Sequence, residues 1–185
     1  IISSSPLCKK LRKIIYISKY LIMEKTMIHS WKWLNYIWVQ HPNNPGKLWE
    51  GVERKGTGKV VGALVENISR ETFVLVEQFR PLMGAQVIEC VAWLIDSGNT
   101  PEQAIAKEVL EETGYTAEQI HFLFQGPKSA GLTSEQTIDF YVQVSGNPWV
   151  QQLEASEAGL IVHETQNSLQ DLKKFLSSQE KSGKL

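Results

Sequence analysis

At Thr100 the hydrophobic period of the chain changes from two to 3.6, and this change constrains the fold more than any other feature. Ahead of it, residues 31–39, 47–54, 58–66 and 72–79 are rich in β-branched and aromatic side chains and read as strands. The segment 41–46, His-Pro-Asn-Asn-Pro-Gly, is turn chemistry between the first two. Residues 86–93 form a fifth apolar segment, closed by Asp96, Ser97, Gly98 and Asn99. Beyond the helix, strands resume near 121–125 and 137–144. A short last strand follows at 160–163, and a second helical pattern begins over 169–176. Strands with one helix inserted among them specify a mixed α/β sandwich rather than a doubly wound parallel sheet.

Composition narrows the class. The 185 residues suit one domain with enough apolar side chains, 42%, to bury a core. No run of about 18 apolar residues occurs, so no membrane-spanning helix is expected. Two cysteines, Cys8 and Cys90, exclude a disulfide scaffold and a multi-cysteine zinc site. Cys90 reads as a small core residue. The four histidines show no metal-ligand spacing. A formal charge of −1 offers no electrostatic basis for a nucleic-acid partner. The charge is uneven, however. Residues 1–22 hold five of the nineteen basic residues and no acid, which leaves fourteen basic against twenty acidic residues in the rest. An acidic domain that handles an anionic substrate needs metal or local arginines to do so. Residues 1–27 read as a basic tail or a leader upstream of a start at Met23 or Met27, in preference to a membrane-surface helix or transit peptide. Residues 28–185 then form the domain, with N-terminal strands over 31–56 and a core over 57–180, and a cytoplasmic location is expected.

The helix at 100–113 carries the chemistry. Thr100 is a candidate N-cap, Pro101 suits the first turn, Gln103 completes a capping box and Gly114 suits a left-handed C-cap. Ile105, Ala106, Val109 and Leu110 make an apolar face. Glu108, Glu111 and Glu112 fall at spacings of three and four, so their carboxylates are neighbours. Each like-charged pair costs about 0.2–0.5 kcal/mol, and the helix dipole disfavours anions in the last turn. Lys107 reaches Glu111 but does not neutralise all three. A hard divalent cation such as Mg²⁺ resolves the conflict; a solvated acidic helix end is the alternative.

Residues 107–115, Lys-Glu-Val-Leu-Glu-Glu-Thr-Gly-Tyr, resemble the second half of the Nudix box, Arg-Glu-U-x-Glu-Glu-x-Gly-U with U apolar. Upstream, residues 74–84 contain Gln78, Phe79, Arg80 and Pro81, followed by Ile88, Glu89 and Ala92. This is similar to the ADP-ribose (ADP-sugar) pyrophosphatase branch, which reads Gln-[Phe/Tyr]-Arg-Pro and then Glu-x-Pro-Ala-Gly-Leu-Ile-Asp. Residues 128–135 resemble the branch's Ser-Pro-Gly-x-Thr-Ser-Glu loop, and Trp49, Glu50 and Arg54 its early Trp-Glu strand. The likeness runs over about residues 31–180. Five positions depart from the pattern. Trp93 stands for the box glycine, Asn99 for its first glutamate and Lys107 for its arginine, while Cys90-Val91 stands where Phe-Pro is usual. Lys107 keeps the charge but not the planar fork.

The resemblance implies an α/β/α sandwich of the Nudix type with a mixed sheet and an N-terminal antiparallel strand region. It implies Mg²⁺-dependent (or Mn²⁺-dependent) hydrolysis of the pyrophosphate of ADP-ribose or a related ADP-sugar to AMP and a sugar phosphate. Glu108, Glu112 and the Ala92 carbonyl are the implied metal ligands, with Glu111 ligating or orienting. The water-activating glutamate is either Glu157, in the loop 153–159, or Glu135. Arg80, Arg54, Trp33, Trp49, Glu50 and Leu94 are the implied substrate residues, Trp33 and Trp49 by stacking on adenine and Glu50 by accepting from its amino group. A homodimer is implied, one tryptophan coming from the partner subunit. So is a further helix beyond residue 185, and hence a shortened chain or a fragment. The departures motivate an alternative, a catalytically impaired nucleotide-sugar binder on the same fold. A third reading is an interaction protein that uses its tryptophans as an interface.

Overall fold

The computed structural model describes residues 25–184, so the basic segment 1–22 lies outside the described residues. Two sheets form. Strands β1 (Lys25–Ser30), β2 (Leu34–Gln40) and β3 (Leu48–Arg54) make an antiparallel three-stranded sheet in that order. The β2–β3 turn is the expected 41–46 segment, closed by the His41 N–H donating to the Lys47 carbonyl at 3.0 Å, with Gly46 at φ 87°. The strand expected at 31–39 begins instead at Leu34. Trp31 donates its N–H to the Leu34 carbonyl at 2.8 Å, which makes 31–33 a turn back to β1. Strand β1 starts at Lys25, inside the stretch read as tail; every one of its residues is exposed, so it carries no alternation to read.

The larger sheet runs β10 (Ile161–Gln166), β5 (Thr72–Arg80), β4 (Lys59–Asn67), β9 (Gln136–Val144), β8 (Gln119–Pro127). It is mixed: β4 and β9 are parallel, and the other pairs are antiparallel. Strands β4 and β5 pair only over Val65–Asn67 and Thr72–Val74 and then diverge. The chain fills the opening with β6 (Ala85–Glu89) on β5 and β7 (Val91–Leu94) on β4. The single strand read over 86–93 is therefore two strands that change partner at Cys90. For the same reason Cys90 is exposed and is not a core residue: it belongs to neither ladder.

Helix α1 (Pro101–Thr113) covers one face of this sheet. Its Ala104, Ile105 and Val109 pack with Val61, Ala63 and Val65 of β4, Val76 of β5, Val91 of β7 and Phe140 of β9. These strand residues alternate in sequence, so they share one face. Burying an aliphatic side chain of this kind contributes about 1.5–3 kcal/mol. Helix α2 (Leu169–Lys181) lies by β10, where Phe175 meets the His163 ring at 5.4 Å between centroids. His163 pairs across the ladder with Leu75, off the core face, so α2 stands on the opposite side from α1. The arrangement is the expected α/β sandwich. Among the described residues no helix is long and apolar enough to cross a membrane.

Candidate active site

Local signals build α1 where its residues require it. Thr100 Oγ1 accepts from the Gln103 N–H at 3.2 Å, and Gln103 Oε1 accepts from the Thr100 N–H at 2.9 Å, closing the capping box. Gly114, at φ 76°, donates its N–H to the Leu110 carbonyl at 2.9 Å. Between these ends, Glu108 and Glu112 stand one turn apart on the side turned into the protein, and both are buried. Glu111 is on the wetter side, where Lys107 Nζ meets it at 2.7 Å and comes no nearer than 3.6 Å to Glu108. Lys107 thus pairs chiefly with Glu111.

A third carboxylate arrives from far along the chain. The segment after β9 docks on the last carbonyls of α1: the Trp149 N–H donates to the Gly114 carbonyl at 2.7 Å, and the Gln152 N–H to the Glu111 carbonyl at 2.9 Å. The Gln151 side chain donates to the Glu112 carbonyl. This strap leads into a 3₁₀ turn, Ala155–Glu157, whose Glu157 is buried. Glu157 Oε2 accepts from the Glu154 N–H at 2.8 Å, which fixes the carboxylate. One oxygen each from Glu108, Glu112 and Glu157 lies within 4.8 Å of the others.

The electrostatics disfavour the fully ionised cluster. Burial pushes the Glu108 carboxyl up to about 7, against the pull of Lys107. Burial first, then the charges of Glu157, Glu108 and Glu89, push Glu112 up to about 8, with Arg80 opposing. Both oxygens of Glu112 are buried without a hydrogen-bond partner among the described residues, an arrangement that costs roughly 1–3 kcal/mol unless something binds there. Three carboxylates are hard oxygen donors. About a divalent cation with metal–oxygen distances of about 2.1–2.5 Å, opposite ligands stand about 4–5 Å apart, which matches this cluster. The residues fit the cation that the glutamate spacing called for.

The structure separates the two base candidates. Glu157 joins the cluster. Glu135 lies in the loop after β8 and pairs with Arg54 Nε at 2.6 Å. Arg80, the last residue of β5, pairs through Nε with Glu89 of β6 at 2.6 Å, within electrostatic reach of Glu112. Ala92 sits in β7 opposite Gly62, and Leu94 opposite Val60; both are half-buried. Trp93 stands opposite Val61, on the face that holds the core, and is half-buried, yet the three carboxylates still converge.

Trp49 is half exposed and lines an apolar groove of about 370 Å³ with Ile37, Val39, Gly51 and Leu132. Its indole N–H donates to the Gly131 carbonyl at 3.0 Å. Strand alternation puts Glu50 and Arg54 on the other face of β3 from Trp49. Trp33 is 65% exposed, with Lys32 Nζ 4.6 Å from its ring centroid. It precedes Leu34, which pairs with Arg54, whereas Trp49 pairs with Val39. From Leu34 to Val39 is five residues, about 17 Å at about 3.4 Å per residue, so Trp33, which lies beyond Leu34, is toward the far end of the β2–β3 ladder from Trp49. The strap at 149–152 was not anticipated, and its sequence, Trp-Val-Gln-Gln, carries no local signal for docking on a helix end.

Comparison with known proteins bears on the family. Residues 56–176 match the family described as NUDIX domain. The chain is 35% identical over 109 residues to an ADP-sugar pyrophosphatase of Mus musculus, covering 54% of this chain and 50% of that one. It is 29% identical over 158 residues to putative nudix hydrolase 2 of Caenorhabditis elegans, covering 75% and 69%. It is 34% identical over 99 residues to a GDP-mannose pyrophosphatase of Escherichia coli (strain K12), covering 50% of each. The chain spans about half the length of the two pyrophosphatases.

Proposed function

This chain belongs to the NUDIX domain family, and on that premise we propose that it hydrolyses the pyrophosphate of ADP-ribose or a related ADP-sugar, with Mg²⁺ or Mn²⁺, to AMP and a sugar phosphate. The observation that carries the reading is the buried triad Glu108, Glu112 and Glu157, three carboxylates converging within 4.8 Å of one another, with Arg80 in electrostatic reach of Glu112. The names of the similar pyrophosphatases support the substrate class.

Glu108 and Glu112 would hold the cation, with the Ala92 carbonyl as a backbone donor and Glu111 orienting Glu108 through Lys107, which meets both. When bound, the cation neutralises the pyrophosphate oxygens and acidifies a water. Glu157 has one oxygen tied to the Glu154 N–H. Its other oxygen takes the proton as the water attacks phosphorus and the bridging P–O bond breaks, the electron pair leaving with the second phosphate. Arg80 and Arg54 bind phosphate oxygens. The base rests on Trp49, with Leu94 lining the approach; the Glu50 side chain, on the other face of β3, faces away from a base stacked there. The separation of Trp33 from Trp49 within one chain supports a homodimer in which the second indole is the partner subunit's. The domain includes β1 from Lys25 onward and is proposed to act in the cytoplasm.

The second reading, a nucleotide-sugar binder without turnover, is favoured by one observation: Trp93 occupies the position of the box glycine and remains half-buried beside the core. Release of AMP from ADP-ribose with Mg²⁺, compared with ADP-glucose, GDP-mannose and NADH, tests both. Turnover that disappears in Glu112→Gln is expected. Binding of ADP-ribose with no turnover of any of the four would establish the second reading instead.

A further inference from the structure

Arg54 and Arg80 belong to different sheets, yet each is held in the same way. Arg54 Nε donates to Glu135 Oε2 and Arg80 Nε donates to Glu89 Oε1, both at 2.6 Å. In each pair the arginine is the more exposed member, 37% against 22% and 38% against 27%. Among the described residues neither guanidinium makes a further side-chain hydrogen bond or ion pair, so both Nη groups of each remain open. A guanidinium is a rigid plane with five donors. A carboxylate on Nε fixes that plane and leaves the Nη edge, whose spacing matches two oxygens of a phosphate.

The two glutamates are themselves anchored. The Glu135 N–H donates to Thr133 Oγ1 at 3.1 Å. The loop that carries it is tied to β3, the strand of Arg54, where the Val52 N–H donates to the Leu132 carbonyl at 2.8 Å. Gly51 makes room for this contact, since a Cβ there would lie 3.0 Å from the same carbonyl oxygen. Glu89 is held in the β5–β6 ladder opposite Val76, and Arg80 opposite Ala85 in the same ladder. Both arginines are thus oriented before any ligand arrives, and ligand binding has less side-chain freedom to remove.

We propose that Glu135 and Glu89 are positioning residues, each fixing an arginine through its Nε–H so that the Nη fork faces the phosphate oxygens of a nucleoside diphosphate. The identity of that ligand rests on the function proposed above. The opposite expectation is clear. A carboxylate that only masked its arginine would weaken phosphate binding, so removing it would tighten binding. A carboxylate that orients the arginine does the reverse.

Kinetics on ADP-ribose with Mg²⁺ decide between them. Glu135→Ala and Glu89→Ala are expected to raise KM about tenfold with kcat within about threefold of wild type. Glu135→Gln and Glu89→Gln keep an oxygen for Nε–H, and KM is expected within about threefold of wild type. Because both substitutions remove the same charge, the difference reports on orientation. A KM unchanged or lowered in the alanine variants would overturn the proposal, as would a fall in kcat at constant KM. Should the wild type hydrolyse no nucleoside diphosphate sugar, the function above falls on its own. The Kd of ADP, measured by calorimetry in the same variants, then takes the place of KM with the same expected order.

Discussion

Glu112 and Glu157 bring carboxylate oxygens within 4.8 Å of each other although one ends a helix and the other closes a loop beyond two further strands. Both are buried. Two such carboxylates repel when ionised, and that repulsion adds to burial in pushing Glu112 up to about 8.

Replacing Glu112 by Gln should therefore separate stability from activity. Hydrolysis is expected to fall at least about a hundredfold, through loss of the cation. The metal-free protein is expected to gain about 1–3 kcal/mol near pH 8, since a buried, unpartnered charge is gone. Urea unfolding in EDTA measures the second effect. A destabilised Glu112→Gln protein would contradict it.

The pH dependence follows from the same groups. Glu108 and Glu112 titrate near 7 and 8 in the folded protein, above the ordinary value of 4.5. The folded state therefore binds more protons than the unfolded state between about 4.5 and 8, and their contribution, full below that window, is lost as pH rises through it. The Tm of the metal-free protein is expected to fall from pH 5 to pH 8.5. Saturating Mg²⁺ should raise Tm, and more at pH 8.5 than at pH 5, because it binds the carboxylates. A Tm shift by Mg²⁺ that is equal at both pH values would count against the assignment of these ligands.

Gly114 joins the helix end to the strap. Its left-handed φ strains any other residue, and a Cβ would collide with the Trp149 carbonyl oxygen. Gly114→Ala is expected to cost about 2–4 kcal/mol. It should also lower kcat, since the strap leads to Glu157. Chemical denaturation and turnover measured on one preparation check both; a variant with wild-type kcat would show that the strap does not place the base.

Glu157→Gln and Glu135→Gln should differ sharply. The first is expected to lower kcat by about 10²–10⁴ with metal affinity reduced less than in Glu112→Gln. The second should leave kcat within about threefold, because glutamine still accepts from Arg54 Nε. Equal losses of kcat in the two variants would reopen the choice of base.

Helix α1 was legible in full because every signal that makes it is local: Thr100, Pro101, Gln103 and Gly114 lie within a few residues of the turns they cap. The strands of the core were legible for the same reason, since Val61, Ala63 and Val65 alternate. What the sequence hid depends on partners distant along the chain. The break at Cys90 exists only because β4 and β5 diverge, and nothing within 86–93 reports that divergence. Glu157 and Glu135 look alike as glutamates in polar loops. The path of the strap over the end of α1 distinguishes them, and hydrogen bonds from Trp149, Gln151 and Gln152 define that path.

That strap has a consequence for how the molecule fails. The carbonyls it occupies are those of Glu111, Glu112 and Gly114, at the end of a helix that would fray first on warming. In the proposed mechanism, loosening there would free a ligand of the ion, Glu112, and the base, Glu157, in the same event, while the nine paired positions between β4 and β9 stay intact. Heat would then end the proposed hydrolysis before it melted the fold, leaving a folded but inert population that recovers on cooling.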